Sequence, residues 1–222
     1  MINRFSVKPL SDSTITLSSV ASNKLRPDLI ITNCDILSVY TDRILKNKEV
    51  WISSGRIACI KDNGDSTKVF DKNLNIYDAK GGLIGPGLID PHMHIESSMM
   101  TGCAYSEPAL LNGTTTIFCD SHEIGNVCDT EGIEWMLEDC RLAPLSIFLT
   151  IPSTIPATND TIETAGGDLT AYKVGNIFDK WPEAVALGEK MDFVSVCDSN
   201  ERSHKIISES LKRNKPISGH MF

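Results

Sequence analysis

The 222-residue chain lacks long hydrophobic runs, basic clusters and paired cysteine motifs, and each absence removes a class of function. No stretch approaches the roughly 20 apolar residues that a membrane-spanning helix needs. The opening segment, MINRFSVKPLSDSTITLSSV, has two basic residues but not the continuous apolar core of a secretory leader. Acidic residues outnumber basic ones by 29 to 21, a net charge of −8, and no Lys/Arg run is interleaved with aromatics. The electrostatic footprint of a nucleic-acid binder is therefore missing. Small molecules are the expected partners, with no nucleic acid and no membrane, and the expected location is cytoplasmic. Seven cysteines are scattered without a C-x-x-C pair, which fits free thiols in a reducing compartment. The G-x-x-x-x-G-K-[ST], G-x-S-x-G and G-x-G-x-x-G motifs are also missing, so nucleotide-driven and serine-hydrolase chemistry have no support.

What is present is ordinary globular composition, 41% hydrophobic and 23% charged, enough for a sizeable core. Its texture changes twice along the chain. Residues 1–27 are polar and Ser-rich and read as a loosely ordered lead-in. From Asp28, the short β-rich runs DLIITNCDILSVY, EVWIS, RIACIKD and NIYDAKGG, with SSG and NGD turns between them, predict a small β-sandwich-like domain over 28–82. From residue 83 apolar runs alternate with helical patterns. GGLIGPGLID, TTTIFC, LSIFLT, AVALG and KPISGH read as five strands. Ile133, Met136, Leu137 and Cys140 mark an amphipathic helix over 129–141, and Ile206, Ile207 and Leu211 mark another over 200–214. Strands alternating with helices imply parallel βα units. The predicted fold class is α/β, a partial (β/α)₈ TIM-like barrel of about five strands over 83–222, truncated after the fifth and preceded by the small β domain.

The ends of these strands carry the chemistry. His92 and His94 stand at i and i+2, so they project from one face of a strand, a metal-ligand spacing. H-x-H alone is weak, but here it closes the first apparent barrel strand, where barrel enzymes keep their active sites. The second strand runs into Asp120, His122 and Glu123; taken alone, this is a polar loop with a helix cap at Asp120 or Ser121. Glu189 follows the fourth strand and His220 the fifth. In isolation the first is an exposed helix-start glutamate and the second a surface histidine. Their coincidence at four strand ends carries more weight than any member. Imidazole and carboxylate suit Zn²⁺, Mn²⁺ or Fe²⁺, and a cation with an open position acidifies bound water, which serves hydrolysis. HIE at 94–96 matches the H-x-E of zinc cytidine-type deaminases, but their P-C-x-x-C partner is absent, which excludes that family.

The order of PGLIDPHMHIESSMMT, GTTTIFCDSHEIGNV, IPSTIPAT, ALGEKMDF and SGH after a small β domain resembles the adenine deaminase family of the amidohydrolase superfamily, from about residue 28 to the end. The resemblance implies hydrolytic deamination of adenine to hypoxanthine and ammonia by a metal-activated hydroxide. It implies metal ligands at His92, His94, Glu189 and His220, and catalytic proton transfer, or an additional ligand, at His122 and Glu123. The implied cofactor is a divalent metal, Mn²⁺ ahead of Fe²⁺ or Zn²⁺, binuclear in the complete enzyme. Adenine is the implied small-molecule substrate, and the full-length form is expected to be a homo-oligomer. The family continues through three more barrel strands, so the chain is expected to be the N-terminal portion of such an enzyme. The alternatives are another amidohydrolase acting on a cyclic amide or amine, and a natural non-catalytic relic or interaction module. Three places depart from the family pattern: Ser121 stands for proline, Thr154 for cysteine, and Glu189-Lys190-Met191-Asp192 for EMMN. Neighbours along a strand face opposite sides, so Lys190 is expected to point away from the metal ligands.

Overall fold

The computed structural model describes residues 7–70, 73–158 and 161–220. The chain divides between Pro86 and Gly87 into two compact units.

In the first unit, runs rich in β-branched residues form a five-stranded sheet. β1 (Leu29–Ser38) pairs antiparallel with β2 (Arg43–Ser53), and β2 pairs antiparallel with β3 (Arg56–Asp62). β4 (Ile76–Asp78) and β5 (Leu83–Ile84) join β1 in parallel. Ser54 and Gly55, which turn β2 into β3, both take positive φ, 54° and 70°, the paired left-handed conformation that matches a tight hairpin to strand twist. Among the described residues the unit has one sheet, a short helix α2 (Asp65–Val69), and a longer helix that covers the sheet. That longer helix, α1 (Thr14–Ala21), corrects the expectation of a loose lead-in for the described part of 1–27, residues 1–6 lying outside it: its Val20 is fully buried with Ile30 and Trp51. One buried valine docks it, which the Ser-rich composition concealed. The unit also holds Glu49, a buried carboxylate that accepts from Trp51 Nε1, Gly64 N, Ser66 N and Ser66 Oγ. Four donors offset the cost of burying its charge.

GGLIGPGLID, expected as one strand, divides. Leu83 and Ile84 pair with Asp35 and Ile36 in the first sheet, whereas the second sheet begins only at Leu88. Pro86 lies between them; it has no N–H for a ladder and restricts the residue before it.

The second unit is a sheet of five parallel strands in chain order: β6 (Leu88–Met93), β7 (Thr114–Asp120), β8 (Ser146–Ile151), β9 (Ala184–Lys190) and β10 (Ile217–Gly219). The crossovers are α3 (Gly102–Leu111), α4 (His122–Leu142), α5 (Ala171–Lys180) and the pair α6 (Phe193–Cys197) and α7 (Glu201–Lys212). Each crossover returns to the adjacent strand, the progression of a (β/α)₈ barrel through five of its units. Alternate residues of the central strands, Ile117 and Cys119 on β7 and Ile147, Leu149 and Ile151 on β8, share one buried cluster with Ile133 and Leu137 of α4 and Val174 and Ile177 of α5. Period-two and helical stripes thus meet in the core.

α4 starts seven residues before the expected 129–141, directly at His122. Its two parts are separated by a break at Cys128 and Asp129, where Asp129 takes φ 56° and ψ −148°. Asp129 Oδ2 there accepts from Asp168 N at 3.1 Å and Lys173 Nζ at 2.5 Å. All seven cysteines are free, and burial pushes the Cys119 thiol up to about 12. Among the described residues no helix is long and apolar enough to cross a membrane.

Candidate metal centre

Every site residue expected from the sequence stands at the carboxyl end of a strand in the second unit. His92 lies in the last residues of β6 with His94 just beyond it; β7 ends at Asp120, and α4 opens at once with His122 and Glu123. Glu189 is on β9, and His220 follows β10 directly. Because all five strands are parallel, these ends share one rim, so residues 92 and 220 meet despite their separation in sequence.

Glu189 is the centre of the cluster. Its Oε2 lies 3.3 Å from His92 Nε2 and 2.7 Å from His220 Nε2. Its Oε1 lies 3.3 Å from His94 Nε2 and 3.6 Å from His122 Nδ1. The rings pack edge to face, with centroids 4.9 Å apart for His92 and His94 and 4.7 Å for His94 and His122. His94 Nδ1 sits 3.0 Å from the Asp120 carbonyl oxygen. A carbonyl only accepts, so Nδ1 carries a proton there and Nε2 is the nitrogen that faces Glu189. Two groups, His92 with His94 and Glu189, and His94 with Asp120 and His122, each have donor atoms within 4.8 Å of one another and can hold a metal ion.

Opposed effects set the charges. Burial raises the Glu189 carboxyl, but the His220 hydrogen bond and the fields of His92 and His94 outweigh it and hold the group below the usual carboxylate range. The Asp120 hydrogen bond holds His122 above its ordinary value against burial, and Glu123 and Glu189 add to it. Glu96, two residues after His94, is raised by burial, with the Glu123 charge adding. Glu123 takes a hydrogen bond from Ser97 Oγ on Oε1 at 3.0 Å. Its Oε2 is buried without a hydrogen-bond partner, 3.3 Å from His94 Nδ1 and 3.9 Å from His122 Nε2.

The main chain of Glu189 is held as firmly as its carboxylate. Asp120 Oδ2 accepts the Glu189 N–H at 3.0 Å, and Ser153 Oγ donates to the Glu189 carbonyl at 2.6 Å. Lys190 does point away from the cluster: it is buried, donates to Thr154 Oγ1 at 2.5 Å, and has its pKa lowered by burial. The sequence marks Asp120 only as part of the second strand-end cluster or as a helix cap, not as a partner of Glu189, and it does not single out Ser153. The one available signal was Gly188, a glycine inside a strand, which often marks close approach of another group.

A sequence profile of the amidohydrolase family matches residues 83–221. Across its whole length the chain is 61% identical to "Adenine deaminase 2" of Bradyrhizobium sp. (strain ORS 278), covering 37% of that protein. It is 38% identical over 99% of its length to an adenine deaminase of Clostridium botulinum (strain ATCC 19397 / Type A), covering 36% of it. The chain thus spans somewhat more than a third of the length of these curated relatives. Among solved structures, atrazine chlorohydrolase TrzN from Arthrobacter aurescens TC1, complexed with zinc, matches with a TM-score of 0.66 at 14% identity over 87% of this chain and 53% of that one. The D-hydantoinase (dihydropyrimidinase) from Thermus sp. matches at 0.57 and 16% identity, over 86% of this chain and 40% of that one. At such identities the likeness is one of fold.

Proposed function

The chain belongs to the amidohydrolase family, and on that footing we propose that it is the N-terminal part of an adenine deaminase, with a divalent metal centre held by His92, His94, Glu189 and His220. The observation that carries the reading is the convergence of His92, His94 and His220 on one carboxylate, that of Glu189. The donor set fits such a cation. Imidazole nitrogens and carboxylate oxygens are the ligands that Mn²⁺, Fe²⁺ and Zn²⁺ share, and the proton on His94 Nδ1 leaves its Nε2 lone pair available. Mn²⁺ is the cation we favour, in a binuclear site of the complete enzyme. Adenine as substrate is supported by the 61% identity to a relative named for that activity.

Bound there, a divalent cation supplies Lewis acidity and lowers the pKa of coordinated water. The chain's own residues handle the protons. Deamination forms a C6–O bond and breaks the C6–N bond, and both protons of the attacking water leave it, one ending on ring N1 and the other on the departing amino group. The Glu123 carboxylate, with a buried oxygen lacking a hydrogen-bond partner near His94 and His122, is the group we assign to take a proton from that water. His122, kept toward its protonated form by Asp120, is the group we assign to deliver one to the amine. The same reading makes the protein a cytoplasmic enzyme of purine catabolism, homo-oligomeric at full length, with neither nucleic acid nor membrane as partner. The test is to load the intact protein that carries this sequence with Mn²⁺ and follow adenine, hypoxanthine and ammonia together. Stoichiometric appearance of hypoxanthine and ammonia is expected; a metal-loaded protein inert toward adenine contradicts the substrate assignment.

A further inference from the structure

We propose that Asp120 is a positioning residue that sets the main chain of Glu189 and the ring of His122, and is not itself a metal ligand; the inference rests on the metal-centre reading above. Asp120 is 1% exposed, and a carboxylate buried to that extent is costly unless its oxygens are met. Both are: Oδ2 accepts the Glu189 N–H at 3.0 Å, and Oδ1 lies 3.3 Å from His122 Nδ1. Its carbonyl oxygen takes the His94 Nδ1 proton at 3.0 Å. One residue therefore touches three members of the cluster through three different oxygens.

The tie to Glu189 skips a strand. β7 and β9 are not neighbours, since β8 runs between them, so the Asp120 side chain reaches across β8 to a backbone group. The space it enters is kept by Gly188. A Cβ at that position would collide with Asp120 Oδ2 and lie 3.0 Å from the Ile151 carbonyl oxygen. Gly188 is not among the glycines of positive φ, so its lack of a side chain serves the carboxylate and not an unusual backbone. Asp120 lies close enough to His94 and His122 to join an ion. Each of its carboxylate oxygens already faces a member of the cluster, Oδ2 the Glu189 N–H and Oδ1 the His122 ring, which is the arrangement of an outer partner that orients ligands. Outer partners that orient ligands typically govern metal affinity by about 10–100-fold.

The experiment compares wild type, Asp120→Asn and Gly188→Ala as intact proteins, by Mn²⁺ equilibrium dialysis with metal analysis. Asp120→Asn keeps the volume but puts an NH₂ where one of the two acceptors stood. Gly188→Ala leaves Asp120 in place and evicts its carboxylate. Each variant is expected to bind Mn²⁺ about 10–100-fold more weakly yet reach wild-type stoichiometry at saturation. Loss of one ion at saturation in Asp120→Asn makes Asp120 a ligand and overturns the inference, as does unchanged affinity in both variants. A wild type that binds no Mn²⁺ removes the metal-centre reading itself, a distinguishable failure. A measurement on unmutated protein stands even where a variant does not fold. In the metal-free protein, ¹⁵N ring shifts are expected to show His122 protonated at Nδ1, and an unprotonated Nδ1 there overturns the inference.

Discussion

Lys190 and Thr154, two of the positions where the chain departs from the adenine deaminase pattern, are hydrogen-bonded to each other, the buried ammonium donating to the hydroxyl at 2.5 Å. The pair joins the loop after β8 to the end of β9, beside the Ser153 bond to the Glu189 carbonyl. Two departures that looked independent in the sequence form one contact.

Removing one partner of that pair strands the other. Thr154→Val is expected to cost about 2 kcal/mol, because a buried cation loses its acceptor. Adding Lys190→Met to the same protein is expected to recover much of that loss, since replacing a buried polar pair by apolar groups is often near neutral. Urea denaturation of the two single variants and the double variant checks this as a coupling cycle. Additive losses contradict the pairing.

Asp129 gives a stability contribution with a defined pH dependence. Burial raises its carboxyl, but the bonds from Lys173, Asp168 N and Thr130 N outweigh it and hold the group below the usual range. A carboxylate depressed in the folded state stabilises the fold above its unfolded value of about 3.9 and loses that contribution as pH falls through the folded value. Asp129→Asn is thus expected to cost on the order of 1 kcal/mol at neutral pH and progressively less in acid. Unfolding midpoints of both proteins across that range report the gap; a gap independent of pH contradicts the account.

A variant of Glu123 tests the proposed proton transfer apart from metal binding. Glu123→Gln keeps the shape and the acceptor for Ser97 Oγ but cannot ionise. It is expected to retain bound metal while turnover falls by about 10²–10⁴. Loss of metal together with activity would make Glu123 a ligand instead.

The barrel strands were legible because their apolar runs are short, bounded by turn residues and spaced by helical stripes. The grouping of the candidate residues was legible for the same reason: once strand ends are located, His92, His94, His122, Glu123, Glu189 and His220 fall on one rim. Several features were not. α1 hides in Ser-rich sequence, and α3 carries an internal Pro108 that argues against a helix. The stripe of Val174, Ile177 and Phe178 on α5 was readable but short. The Asp120 tie to Glu189 joins residues 69 apart across an intervening strand, and no local pattern encodes a contact of that kind.

The central claim is that Glu189 gathers His92, His94 and His220 into a metal centre that deaminates adenine. The most direct measurement is ammonia release from adenine by the intact Mn²⁺-loaded protein and its Glu189→Ala variant, with bound metal quantified in the same samples. The account expects activity and metal in the first, and loss of both in the second by more than the roughly 10–100-fold typical of outer partners. Full activity or undiminished metal in Glu189→Ala would contradict it.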